Sequence, residues 1–345
     1  MSSIRQVAKQ AGVSIATVSR VVNGVASVDP ELRQRVLKVV EAIDYSPAIG
    51  KRTADAIALV YAGPVTTGSI YDAACIDGIV EALRGTDCDL RILNLARDRE
   101  QGEALSQFLA RKGARGAVVR CTTSERTMVE NWAAESTPFV VLGDHFDHPQ
   151  LSFVYAASRD ASRQAVELLL SLNHHRIAFA ACERDDGDHF DRFDVYRQVL
   201  QTRGLFDANI VCRVPPHRTD GAQIVRNLLS IPNRPTAIYI ADPLIAIGAL
   251  NECHRLRVQV PDDLSIIGFD DSETRTYVFP RLTAVCQDST ALGRLAVQLL
   301  LAKLQRQSGT NSAVAPQAWL DIGNTTGPAP ERVDRILPSG ERVLP

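Results

Sequence analysis

Residues 14 to 23 read SIATVSRVVN, and on a helix this stretch turns Ile15, Ala16, Thr17, Ser19, Arg20 and Asn23 outward. These side chains are apolar or hydrogen-bonding and small enough for a DNA groove, and the Arg20 guanidinium can take both acceptors of a guanine edge. The chemistry is recognition of duplex DNA rather than catalysis. The rest of the chain supports that distinction: it has no phosphate-cradling Gly loop, no nucleophile elbow and no carboxylate pair in a catalytic setting.

The elements that must hold this helix are legible around it. Ser3 with Gln6 suits a capping box, and Ile4, Val7 and Ala8 make one apolar stripe on a first helix. Ala11-Gly12-Val13 then turns the chain, with Gly12 free to take the positive φ that ends a helix. Ser14 caps the second helix, and Val18, Val21 and Val22 supply its inward face. Asp29-Pro30-Glu31 opens a third helix, with Asp as cap and Pro at the first helical position. There Leu32, Val36, Val39, Val40 and Ile43 recur at a spacing that closes a three-helix core. Residues 1 to 52 hold eight Lys and Arg against four Asp and Glu, while the whole chain is at −2, so the basic end is where phosphates would be met.

At 345 residues and 45% hydrophobic composition, the chain is long enough for two or three soluble domains. The seven cysteines are scattered through apolar segments, which favours free thiols in a reducing compartment and a cytoplasmic location. No signal sequence and no uncharged apolar run of about 18 residues is present, so neither export nor a membrane role is expected.

From residue 55 onward short apolar runs alternate with longer amphipathic segments, the pattern of parallel sheets with crossover helices. Strands are expected at 56 to 62, 89 to 95, 116 to 121, 139 to 144, 176 to 182, 209 to 214, 236 to 241 and 264 to 269. Eight βα units exceed one doubly wound sheet, so an α/β core of two such sheets with a cleft between them is expected. The acidic run ERDDGDHFD at 183 to 191 lacks the spacing of a calcium loop and reads as a solvated loop at the cleft mouth. His174-His175 reads as structural, and Cys253-His254 has no third ligand nearby, so no metal and no cofactor is expected. Residues 329 to 345 read as a loose tail.

Several motifs together resemble the lactose-repressor/galactose-repressor (LacI/GalR) family of bacterial transcription regulators, over about residues 1 to 328. They are IRQVAKQAGVSIATVSRVVNG at 4 to 24, RQRVLKVVEAIDYSP at 33 to 47, LSLNHHRIAF at 170 to 179, PDDLSIIGFDD at 261 to 271 and LTAVCQDSTALGRLAVQLLL at 282 to 301. The resemblance implies a helix-turn-helix headpiece over 1 to 46, a hinge over 47 to 56 and a periplasmic-binding-protein-like core over 57 to 328. In that core two subdomains are joined by crossing strands near 155, 285 and 318. It further implies a homodimer on a palindromic double-stranded DNA operator and a small effector in the cleft.

Carried over by position, Ile15, Ala16 and Arg20 fall where the family reads base edges. Ser14, Thr17, Ser19, Asn23, Lys51 and Arg52 fall with the remaining DNA contacts, which orient the protein without specifying sequence. In the cleft Arg192, Asp270, Gln287, Asp242 and Tyr71 match or neighbour effector-binding positions, and their convergent polar groups suit a sugar or similar polyol. The function implied is a repressor controlled by that ligand; an effector-independent DNA-binding regulator and a solute-binding protein with the same core are the alternatives.

Departures from the family pattern are as specific. The usual N-x-x-A-R-x-L hinge helix is missing, the linker is about five residues short, and Ala54 stands in place of the Leu that wedges into the minor groove. Ala241 replaces the usual Asn before Asp242, Ala157-Ser158 replaces an Asp-Asn pair, and Pro216-His217 lies where an aromatic often stacks on ligand.

Overall fold

The computed structural model describes residues 4–22, 28–42, 56–135, 137–183, 186–215, 218–305 and 312–344. By its internal contacts the chain divides into Met1–Ala54 and Asp55–Pro345.

The small unit contains α1 (Ile4–Ala11), α2 (Ile15–Val22) and α3 (Pro30–Ala42). Val7, Ala8, Ala11, Val18, Val21 and Val36 form its buried core, with Val39 and Val40 packed against it. Gly12 takes φ +66° and Val13 N donates to Ala8 O at 3.0 Å, so the turn between α1 and α2 needs the one residue without a Cβ. Ser14 Oγ accepts from Thr17 N at 3.0 Å, and Asp29 Oδ1 accepts from Glu31 N and Leu32 N at 3.0 and 3.1 Å, giving α2 and α3 side-chain caps. Ser3, Asn23, Ile43 and the hinge with Lys51, Arg52 and Ala54 lie outside the described residues.

In the large unit a first lobe is built from β1 (Ala56–Tyr61), α4 (Ile70–Leu83), β2 (Asp89–Asn94), α5 (Leu95–Asp98), α6 (Leu105–Arg111), β3 (Ala117–Arg120), α7 (Arg126–Trp132), β4 (Phe139–Leu142) and β5 (Phe153–Val154). The second lobe follows with α8 (Arg159–Ser171), β6 (Ile177–Cys182), α9 (Gly187–Gln201), β7 (Val211–Val214) and α10 (Arg218–Ser230). It continues through β8 (Ala237–Ile240), α11 (Pro243–Arg255), β9 (Ser265–Asp270) and β10 (Thr283–Cys286). The chain then returns: α12 (Ser289–Leu304) buries Leu292, Ala296, Val297 and Leu300 in the first lobe. After it, β11 (Ala313–Val314) pairs with β5, and β12 (Trp319–Asp321) pairs antiparallel with β10. Where the passages at 155–158 and 315–318 run together, Ala157 bridges Gln317.

Both sheets have the same order, β2-β1-β3-β4-β5-β11 and β7-β6-β8-β9-β10-β12. Central strands β1, β6 and β9 are buried at every position because helices cover both faces, while edge strand β2 is largely open. The order reverses beside β1 in one sheet and beside β6 in the other. At such points the crossover helices leave in opposite directions and open a crevice at the carboxyl ends of the strands.

The tail is not loose. β13 (Arg335–Ile336) and β14 (Arg342–Val343) form a hairpin, Ile336 is 1% exposed within the second lobe's core, and Arg342 pairs with Asp263 at 2.5 Å. One buried isoleucine and one ion pair leave no periodicity in the sequence, which is why 329 to 345 reads as unstructured.

Candidate functional site

On α2 the inward and outward faces separate cleanly. Val18 and Val21 are buried, whereas Ser14, Ala16 and Arg20 are exposed and Ile15 is 46% exposed. Thr17 and Ser19 are half-buried, and the Thr17 hydroxyl lies 2.8 Å from that of Ser14. An exposed isoleucine and an exposed arginine, on a helix whose Val18 and Val21 close a core, make a surface suited to a groove carrying methyls and acceptors.

The second candidate is a cavity of about 320 Å³ at the carboxyl ends of the strands flanking both reversal points. The first lobe contributes Tyr71 from α4 and Arg120 from the end of β3; the second contributes Cys182, Asp188, His189, Arg192, Asp242 and Asp271. Arg120 donates from Nε to Asp72 Oδ1 at 3.0 Å and from Nη1 to Leu142 O at 2.7 Å, and its guanidinium carbon lies 4.6 Å from the Tyr71 ring centre. Thr66 Oγ1 also donates to Asp72. Gly143, at φ +78°, makes this cluster possible, because a Cβ there would collide with Arg120 Nη1 and the Tyr71 hydroxyl.

Arg192 is buried, donates from Nη1 to Ala241 O at 3.1 Å, stacks 3.4 Å from the Phe269 ring centre and lies 3.9 Å from Asp188. Its Nε, Asp188 Oδ1 and Gln287 Oε1 are buried without hydrogen-bond partners among the described residues. Leaving such groups unpaired costs about 1–3 kcal/mol each, and a polar ligand would relieve those that face the cavity. Burial raises the Asp188 carboxyl well above the usual carboxylate range and pushes Asp271 up to about 6, because the low-dielectric wall disfavours their charged forms. Between the lobes, His145 Nε2 meets Asp191 Oδ2 at 3.1 Å, and this contact raises the imidazole pKa against the effect of burial.

Of the five effector residues expected from sequence, Arg192, Asp242 and Tyr71 line this cavity. Asp270 does not. Its Oδ1 accepts from Thr274 N at 3.0 Å and its Oδ2 from Arg275 Nη1 at 2.8 Å, so it fastens the turn after β9 while its neighbour Asp271 takes the cavity wall. Gln287 acts from behind, donating to Asp271 Oδ1 at 2.5 Å. The acidic run is also corrected: Asp186, Asp188 and Asp191 are buried, and α9 begins at Gly187 with Asp186 as its cap, receiving His189 N at 3.0 Å. Acids in a first helical turn are stabilised by the helix dipole, so a run that looks like a solvated loop is a helix start, and Arg184 and Asp185 fall outside the described residues. His174 is structural, held by Thr236, Ser265 and Gly327 at 2.9–3.1 Å. Asp72, Arg120, Asp188, His189 and Asp271 escape sequence reasoning, although an arginine ending the apolar strand AVVR was a signal for the second of them.

Comparison with known proteins fits both halves. Residues 3–48 match the family described as "Bacterial regulatory proteins, lacI family", and residues 166–326 match "Periplasmic binding protein-like domain". The chain belongs to the LacI family. Along its length this LacI-family chain is 27% identical over 307 residues to the HTH-type transcriptional repressor PurR of Haemophilus influenzae (strain PittEE), covering 88% of this chain and 91% of that one. A transcriptional regulator CelR–cellobiose complex matches with TM-score 0.66 at 25% identity, covering 94% of this chain and all (100%) of that one. The lac repressor dimer bound to operator and the anti-inducer ONPF has the same fold, with TM-score 0.73 at 22% identity, covering 94% and 99%. The family is one of regulatory proteins with a DNA-binding domain and a ligand-binding core, not of enzymes. Among the described residues no helix is long and apolar enough to cross a membrane.

Proposed function

We propose that this LacI-family protein represses transcription as a homodimer on a palindromic operator and that a sugar or sugar-like metabolite in the interlobe cavity changes its hold on DNA. The observation that carries the reading is the coexistence of an outward-facing Ile15, Ala16 and Arg20 on α2 with a cavity whose polar walls come from both lobes. In this reading Ser14, Thr17, Ser19, Asn23, Lys51 and Arg52 hold the backbone, while Arg20 discriminates one base by about 1–3 kcal/mol. Arg192 and Asp242 orient the ligand, Tyr71 borders it, and Asp271 supported by Gln287 takes the part first expected of Asp270.

Support for a sugar comes from the carboxylates and guanidinia lining the cavity, which can accept from and donate to adjacent hydroxyls, and from the cellobiose bound by the similar CelR regulator. Support for a dimer comes from Tyr277 and Phe279, 80% and 96% exposed on a loop leading to Arg281, which binds Ile322 O and so joins the exposed Ile322 to the same end of the sheet. The free thiols fit work in a reducing cytoplasm.

A ligand can shift DNA binding only if it prefers one lobe arrangement over the other. The test is fluorescence anisotropy of the full chain on its selected operator while mono- and disaccharides are titrated. A change in operator affinity by a sugar that Arg192→Ala no longer senses is the expected result; DNA binding indifferent to all of them, with Arg192→Ala folded and equally tight, would favour regulation without an effector.

A further inference from the structure

Three donor types meet at one wall of the cavity from segments far apart in sequence. Cys182 ends β6, Asp242 follows the neighbouring strand β8, and His189 stands in the first turn of α9. Their ligand atoms all lie within 4.8 Å of one another, with Cys182 Sγ 3.6 Å from His189 Nε2. Donors around a tetrahedral zinc ion, at about 2.3 Å for sulfur and about 2.0–2.1 Å for nitrogen and oxygen, stand about 3.5 Å apart, so only a small approach of Asp242 completes the set.

The far side of the imidazole is prepared as well. His189 Nδ1 pairs with Asp186 Oδ1 at 2.7 Å, which leaves Nε2 facing the sulfur. A carboxylate on the distal nitrogen is the usual outer partner of a metal-binding histidine, fixing its ring and raising its basicity. Among the described residues no other group of three such donors is brought together.

We propose that Cys182, His189 and Asp242 bind a divalent transition metal of borderline softness, zinc being the natural fit, with the fourth position open to the cavity. Thiolate, imidazole and carboxylate select such an ion over calcium or magnesium, and thiolate plus carboxylate match its charge. Three protein donors with one open position describe a site that accepts a further ligand rather than a closed structural one. Metal binding itself is independent of the effector reading; only its consequence, that a hydroxyl or carboxylate of the effector takes the fourth position, rests on it.

The probe is cobalt(II) titrated into the full chain after chelator treatment, followed by absorption. One equivalent should produce a thiolate-to-cobalt charge-transfer band in the near ultraviolet together with intense tetrahedral d–d bands, all displaced by zinc. Cys182→Ser should abolish the charge-transfer band, Cys286→Ser should leave it, and Asp186→Asn should weaken affinity about 10- to 100-fold. Asp242→Asn preserves the cap of α11, because asparagine caps as well as aspartate, and should still lower affinity. No band in the folded wild type, or a band that survives Cys182→Ser, overturns the proposal. Sugar-dependent DNA binding without the band would reject the metal site and leave the effector reading standing; the band with sugar-indifferent DNA binding would do the reverse.

Discussion

The outward face of α2 and the wall of the interlobe cavity are built on opposite plans. On α2 the cap, the buried valines and the exposed residues proposed to read DNA all fall within eight positions, Ser14 to Val21, and Ile15, Ala16 and Arg20 face outward. In the cavity Arg120, Cys182, Asp188, Arg192, Asp242 and Asp271 arrive from separate strand ends and one helix, and Asp188 and Arg192 each keep a buried polar atom without a hydrogen-bond partner among the described residues. A DNA-reading surface is therefore a local property of one segment, and its substitution should leave the fold alone. A ligand-binding surface at a strand-order reversal is a property of the topology, and its side chains are part of the core they line.

The largest expected effect follows from that contrast. Arg192→Met removes a buried cation that faces Asp188 and Ala241 O, and should destabilise the core by about 3 kcal/mol in denaturant unfolding, whereas Arg20→Ala should leave that transition in place. An unmoved transition in Arg192→Met would erase the distinction.

Asp271→Asn should act in the other direction. Folding raises this carboxyl from 3.8 to about 6, so the folded protein keeps a proton that the unfolded chain has released. Its contribution makes stability fall as pH rises from about 4 to about 6, with the full loss above that, and the asparagine variant should be more stable at pH 7 by about 1–3 kcal/mol. Thermal melts across that pH range read both the slope and its removal. The smallest effect belongs to the headpiece: Ser14→Ala loses the cap on Thr17 N and should cost about 1 kcal/mol of local stability, visible in amide exchange along α2 and absent from the core.

The same contrast explains what the sequence reveals. Gly12, Ser14, Asp29 and Pro30 announce their turns and caps because each acts on backbone within a few residues. The eight expected strands are found because most are largely apolar runs, with Asp89, Arg91 and Asn94 interrupting the edge strand β2, but β5, β11 and β12 are only two or three residues long and carry no such signal. Asp270 and Asp271 are adjacent acids at the end of β9, and only the three-dimensional turn made by Thr274 and Arg275 decides which one reaches the cavity. Cys182, His189 and Asp242 span sixty positions, and it is the pairing of β6 with β8 that brings their strand ends together.

The central claim is that α2 reads an operator, and selecting bound fragments from random DNA with the full chain and with Arg20→Ala tests it most directly. The account predicts a palindrome for the wild type and, for Arg20→Ala, the same palindrome with preference relaxed at one position in each half-site. An equal loss of binding on every sequence, with the rest of the site unchanged in preference, would contradict the assignment of Arg20 to a base edge.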